Sequence, residues 1–292
     1  MRLPFALLLL SALPAAADTR PPLSDGEALT YKVSWAVVMG AGEIKIAAQR
    51  DASGAAPRLR VTTTTATRGL ARLLLPFDAR AESLFDLRTG RMVSLAESSQ
   101  QRSRKSEHSV TFDYATSRAL YSVPGGEDKP RSLELLAGDP LDLINSLVQT
   151  RSWNLKLGEM RDALVLFDDE FYQLTIHAVR AEEVETPLGT FKTLVLEPRM
   201  EKTPPKGMFK KGSTVRVWIE QDDERHLPVK FEVEFKIGTG VATLANYEPP
   251  SSAEAAEAKP ASGKPAPESP APAAPKLAGE KPAAPDAKDS RL

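Results

Sequence analysis

Apolar and polar side chains alternate along most of this chain. Leu29, Tyr31, Val33, Trp35 and Val37 alternate with Thr30, Lys32, Ser34 and Ala36. Successive side chains of an extended strand point to opposite sides, so this stretch predicts a strand with one apolar face. Alternation resumes at Ile44, Ile46 and Ala48 after Gly40-Ala41-Gly42, which predicts a hairpin turning at the glycines. A second turn cluster over 51–57 leads into Leu59, Val61, Thr63 and Thr65. The four consecutive threonines at 62–65 suit a pleated surface and disfavour a helix. Further strands are predicted over 80–86, 92–97, 109–114, 118–123, 163–167, 171–180, 191–197, 214–220, 229–236 and 241–246. Turn residues separate them at Thr89-Gly90, 115–117, 124–126, 187–190 and 221–224.

Two segments break the rhythm. Gly-Leu-Ala-Arg-Leu-Leu-Leu-Pro at 69–76 is short, apolar and closed by proline, and predicts a buried helical turn or a lid-like loop. Leu141, Ile144, Leu147 and Val148 share one helical face, with Asp139 as the expected N-cap, Pro140 in the first helical position and Arg151 near the C-terminal end. The expected fold is therefore mainly β. It is a single antiparallel curved sheet, a sandwich or a partly open barrel, with one short helix near 140–150.

The two ends are of different material. Arg2, the apolar run 5–10 and Ala15-Ala16-Ala17 stand in the order of a secretory signal, which places cleavage after residue 17 and the mature protein in the periplasm. The apolar run is far shorter than the about 20 residues a spanning helix needs, so a membrane-spanning reading is not supported. No cysteine follows the site, so no lipid is expected there. Residues 249–292 hold ten of the 24 prolines, six acidic and six basic residues and no aromatic residue. Such a composition buries too little apolar surface to offset its ordering entropy, which predicts a disordered tail that is dispensable for folding. Residues 18–248 remain as the folded domain.

The chain has no cysteine, which excludes disulfides, thiolate metal sites and thiol nucleophiles. Its net charge of −1 gives no global attraction to nucleic acid.

Several motifs occur in a fixed order: Gly26-Glu27-x-Leu29-x-Tyr31-x-x-x-Trp35, Thr67-Arg68-Gly69, Asp139-Pro140-Leu141, Leu157-Gly158-Glu159, 185–191 (Glu-Thr-Pro-Leu-Gly-Thr-Phe) and Val217-Trp218-Ile219-Glu220-x-Asp222-Asp223. From about Gly26 to Leu244 this succession resembles the bacterial family called domain of unknown function 3108. The resemblance implies an exported, mainly β protein of Gram-negative envelopes. It implies no reaction and supplies no catalytic residues.

No catalytic set, metal site or cofactor motif is legible in the residues. His108, His177 and His226 each stand alone, outside any metalloprotease spacing, and read as surface strand residues. Asp168-Asp169-Glu170 and Asp222-Asp223 read as solvated turns, because no calcium-loop spacing surrounds them. Glu27 borders the aromatic strand and is the first carboxylate to weigh for hydrolysis; the competing role is a charged residue opening an edge strand. Arg102, Arg104 and Lys105 form one basic cluster, and Lys202, Lys206, Lys210 and Lys211 another; either can meet anionic headgroups or polysaccharide, or be a solvated loop.

On 214–220, Val215, Val217 and Ile219 face away from Arg216, Trp218 and Glu220. If the sheet curls around a cavity, Tyr31, Trp35, Arg216 and Trp218 are the expected ligand-binding residues, with apolar walls and a cationic anchor. Against this stand core packing for Trp35 and an amphipathic outer surface for Trp218. The leading expectation is a non-enzymatic periplasmic binding or envelope-assembly protein holding a lipid or another amphipathic ligand. Its alternatives are an envelope-polymer hydrolase and a structural adaptor whose tail contacts cell wall or envelope proteins.

Overall fold

Alternating Val, Ile, Thr and aromatic residues favour pleated strands, and among the described residues of the computed structural model fifteen strands form one continuous sheet. The structure describes residues 20–54, 56–125, 129–236 and 238–251. The expected cleavage site and the tail from residue 252 lie outside the described residues. The first half of the sheet holds β1 (Ala28–Trp35), β2 (Val38–Asp51), β3 (Arg58–Thr67), α1 (Gly69–Leu74), β4 (Phe77–Asp86), β5 (Met92–Gln101), β6 (Arg104–Asp113), β7 (Arg118–Ser122) and β8 (Arg131–Glu134). The second holds β9 (Leu141–Asp142), α2 (Leu143–Gln149), a 3-10 turn (Thr150–Trp153), β10 (Met160–Phe167), β11 (Glu170–Thr186) and β12 (Gly189–Arg199). A 3-10 turn (Gly207–Phe209), β13 (Thr214–Glu220), β14 (Pro228–Phe235) and β15 (Gly238–Glu248) complete it.

The sheet order runs from β8 back through β1, then β15 back through β9. Each neighbouring pair is antiparallel except β9 with β10, which is parallel. β8 and β9 are the two free ends, so the sheet is not closed by backbone hydrogen bonds. Side chains span the seam instead. Tyr121 of β7 donates its hydroxyl to Asp168 at 3.0 Å, Arg131 of β8 ion-pairs with Asp169, and Arg91 sits 2.6 Å from Asp139.

The hairpin between β1 and β2 turns at 36–37, with Trp35 opposite Val38, and not at Gly40-Ala41-Gly42. Those residues belong to β2. Gly42 serves close approach instead: a Cβ there would stand 2.9 Å from the Ala66 carbonyl oxygen of β3. The N-cap of α2 is Asp142, whose side chain accepts from the backbone N–H of Asn145 at 2.9 Å, and neither Asp139 nor Pro140 is helical. Strand pairing of Leu141 and Asp142 with β10 delays the helix by these two residues. α1 buries no residue, so 69–76 is neither a buried turn nor part of the core.

α2 crosses the inner face of the sheet. At its start Ser83 of β4 donates to Asp142 at 2.7 Å. Beyond its end Arg151 forms a two-armed pair with Glu27, Nη1 to Oε1 at 2.8 Å and Nη2 to Oε2 at 2.9 Å. Glu27 is 1% exposed and leads into β1, which is a central strand paired with β2 and β15 rather than an edge.

One apolar cluster gathers Leu29, Tyr31, Phe85, Met92, Leu95 and Val148; a second gathers Leu147, Leu174, Ile176, Leu196, Val217 and Ile219. Val195 and Trp218 join the first while Leu194, Leu196, Val217 and Ile219 join the second, so β12 and β13 are covered on both faces. Among the described residues, no helix is long and apolar enough to cross a membrane.

Candidate functional site

Two cavities flank Leu143 and Phe167, which line both. The larger, about 390 Å³, lies between the inner face of β3 to β6 and the start of α2. Its lining is rich in hydroxyls and charge: Thr63, Thr65, Ser98, Ser99, Ser106, Glu97, His108 and Asp142. Burial pushes the Asp142 carboxyl up against the hydrogen bonds from Asn145 and Ser83, and the Glu97 charge adds to the rise.

His108 is buried, at 8% exposure, where the sequence suggested a surface strand residue. Its Nε2 lies 3.1 Å from Glu97 Oε2 and its ring stacks on Tyr121 at 5.3 Å. Hydrogen bonding to Glu97, with the charges of Glu97 and Asp168, raises its pKa above 6.5 against the opposing effect of burial. A folded pKa above the unfolded one means that this contribution to stability is complete below pH 6.5 and is lost as pH rises through the folded value. The melting temperature should therefore fall as pH is raised from below 6.5 through the folded value, and His108→Gln should flatten that slope. An unchanged slope in the variant would exclude His108 as its source.

The second cavity, about 320 Å³, is apolar. Val165 and Phe167 of β10, Tyr172 and Leu174 of β11, Met200 after β12, and Met208 and Phe209 of the following loop form its walls. Lys206 and Lys210 stand at its edge. Lys206 donates from Nζ to Glu170 at 2.6 Å and lies 5.6 Å from the Tyr172 ring centre. That hydrogen bond, together with the one from Tyr172, holds the Glu170 carboxyl below its usual range. Lys210 and Lys211 are exposed, and among the described residues neither has a carboxylate within ion-pair distance. Sequence reasoning singled out this lysine cluster but not Met208 and Phe209. The signal was an apolar pair set inside the run 204–212, which is otherwise made of lysine, proline and glycine.

Tyr31, Trp35, Arg216 and Trp218 line neither cavity. Tyr31 is fully buried, donates its hydroxyl to Pro228 O at 2.8 Å, and meets Phe231 edge-on at 5.1 Å. Desolvation raises its pKa well above the ordinary tyrosine value. Trp35, expected inside, is 37% exposed. It lies across β15, where a Cβ on Gly240 would come within 3.2 Å of the indole, and 5.8 Å from Phe235. Trp218, expected as a cavity-lining residue or on an amphipathic outer surface, is 1% exposed. Its Nε1 donates to Glu182, and Lys230 Nζ stands 4.0 Å from its ring centre. Arg216 Nη1 lies 2.9 Å from Glu232 and 3.3 Å from Glu234, so its charge is already matched.

The remaining chemical candidates are also engaged. His177 Nε2 lies 3.0 Å from Glu201, and His226 Nδ1 lies 2.9 Å from the Glu220 carbonyl oxygen. Asp168, Asp169 and Glu170 hold Tyr121, Arg131 and Lys206 respectively. Among the described residues, no group of three or more His, Cys, Asp or Glu side chains is placed to hold a metal ion.

Among curated proteins none matches this sequence. Among solved structures the chain is similar to a β-barrel-like protein of domain of unknown function DUF1849 from Brucella abortus, at 6% identity and a TM-score of 0.48, over 78% of this chain and 98% of that one. It is similar to a Bacteroides fragilis protein of YmcC-like fold, provisionally described as exported, at 11% identity and a TM-score of 0.32, over 80% and 100%. A third similar chain, provisionally described as a lipoprotein from Parabacteroides distasonis, shares 11% identity at a TM-score of 0.31, over 79% and 100%. Over residues 30–245 the sequence matches the family described as Protein of unknown function (DUF3108), and the chain belongs to that family.

Proposed function

We propose that this chain is a non-enzymatic, exported binding protein that holds an anionic amphiphile in the apolar cavity beside β10 and β11. The observation that carries this reading is the about 320 Å³ cavity walled by Phe167, Leu174, Met200 and Phe209 with lysines at its edge. Its volume lies at the lower end of the range of small-molecule sites, about 300–1,000 Å³, which suits one aliphatic chain. Apolar walls favour the tail because burying each methylene gains about 0.8 kcal/mol. Lys210, free of a carboxylate partner, takes the anionic head. Lys210 replaces Arg216 as the anchor because Arg216 is already matched by glutamates. The charged n-region, apolar run and Ala15-Ala16-Ala17 support export to the periplasm.

Calorimetric titration with dodecanoate tests the reading. Dodecanoate should bind, while a dodecyl chain with a trimethylammonium head should not. Lys210→Glu should weaken dodecanoate about tenfold or more, the worth of a charge-assisted hydrogen bond, and Leu174→Trp should fill the cavity and abolish binding. Dodecanoate affinity unchanged in both variants would remove the cavity from consideration.

An envelope-polymer hydrolase is the second reading. The observation behind it is that Glu97 and Asp142 line one cleft and that Asp142 is pushed toward its protonated form. Against it, both Asp142 oxygens already accept hydrogen bonds, Oδ1 from the Asn145 backbone and Oδ2 from Ser83.

A further inference from the structure

The end of the sheet where β1 turns into β2 carries an apolar projection that neither the core nor the cavities use. Val37 is 93% exposed, Met39 82%, Leu73 80%, Leu74 74% and Leu70 70%. Backbone contacts hold them together: Arg68 N–H donates to Ala41 O at 2.8 Å, seating α1 beside the β1–β2 turn. Arg102, in the β5–β6 turn, donates from its backbone N–H to Pro76 O and from Nη2 to Leu74 O, each at 3.1 Å. Trp35 stands behind these aliphatic tips, half out of the fold.

Charge around the projection is predominantly positive. Arg68 and Arg72 are matched by Glu43 and Asp78. Arg102, Arg104 and Lys105 are exposed, and among the described residues none has a carboxylate within ion-pair distance; Glu107 is the acidic residue nearest the turn, with Glu97 and Asp113 further along that hairpin. Leucine, valine and methionine tips inside a cationic collar, with a tryptophan set back from them, match the layering of a bilayer interface, where hydrocarbon lies beneath anionic headgroups and indoles favour the boundary.

We propose that this projection docks on an anionic phospholipid surface, with Val37, Met39, Leu70, Leu73 and Leu74 entering the acyl region and Arg102, Arg104 and Lys105 meeting phosphates. A lipid surface fits better than a folded partner because these side chains stand almost free of neighbours. A protein docking face packs its apolar residues into a shared, partly sheltered core. The tip shares no residue with the apolar cavity, so docking and ligand binding are separable.

Sedimentation of the full chain with vesicles tests this, using phosphatidylcholine alone and phosphatidylcholine mixed equally with phosphatidylglycerol. Residues 1–17 are common to every variant, so ratios between variants report the tip. The wild type should bind the mixed vesicles more tightly, and less so at high salt. Leu73→Glu with Leu74→Glu should weaken binding about tenfold or more. Arg104→Glu with Lys105→Glu should remove the preference for phosphatidylglycerol. Melting should stay near wild type throughout, because α1 buries no residue. Equal binding by the wild type and the leucine variant would overturn the proposal. So would failure of the wild type to bind either vesicle, or a wild-type dimer that the leucine variant dissolves, since a second copy would then cover the tip.

Discussion

Replacing Arg151 by alanine should destabilise the fold by about 3–5 kcal/mol, because it leaves a buried carboxylate without its counter-charge. Glu27 is 1% exposed, and both of its oxygens receive Arg151. The Ser24 backbone N–H, at 3.0 Å, and the Tyr247 hydroxyl are neutral donors that also reach it. A buried carboxylate stripped of a two-armed guanidinium retains too few donors to offset its lost hydration. The pair also joins the segment after α2 to the start of β1, so the cost falls on the contact that holds the helix across the inner face. For a domain of this size the loss corresponds to a fall in melting temperature of about 6–20 °C. Glu27→Gln combined with Arg151→Met should recover most of it, since a neutral pair has no unmatched charge. Urea unfolding of the single and double variants measures both. A single variant within about 1 kcal/mol of wild type would show that water reaches Glu27.

Trp218→Ala should cost about 3–5 kcal/mol, the usual penalty for emptying a large buried aromatic site. The indole is 1% exposed, packs beside Val195, and is closed over by Lys230 and Glu182. The alkyl stem of a lysine can cover apolar surface while its ammonium stays in water, which is how a charged neighbour buries a tryptophan on this face. Trp218→Phe separates the contributions. It keeps most of the packing but removes the N–H that Glu182 accepts, and should cost about 1–3 kcal/mol. If Trp218 lined a ligand site instead, alanine would lower ligand content while leaving the melting temperature near wild type. Chemical denaturation together with ligand analysis distinguishes the two outcomes.

The strands were legible because their signal is local. Alternation at 29–37, 44–48 and 59–65 needs only the pleat to be decoded, and the structure has β1, β2 and β3 there. The helix was legible for the same reason, although its start was not: Pro140 suits a first helical position, but pairing of Leu141 and Asp142 with β10 overrides that preference. β8 went unread because Arg-Ser-Leu-Glu offers one partly buried apolar residue and no alternation. The candidate sites were less legible. The apolar cavity draws Leu143, Leu174, Met200 and Phe209 from four separate segments, and no spacing within any one of them announces that they meet.

The sequence carried each strand's two faces but not which of them would be covered. Alternation on β13 correctly separated Val217 and Ile219 from Arg216 and Trp218, yet both faces are buried, because curling of the sheet and packing around α2 are long-range events. Tertiary structure likewise reversed the two tryptophans. Trp35 shares an apolar face with fully buried Leu29 and Tyr31 but lies at the strand's last residue, where the core has ended; Trp218 shares a face with charged residues whose own side chains roof it over. Local pattern is sufficient for a pleat because it acts between adjacent residues. Burial is set by whatever arrives from elsewhere in the chain, and here that includes a helix more than a hundred residues beyond the strand it ties down.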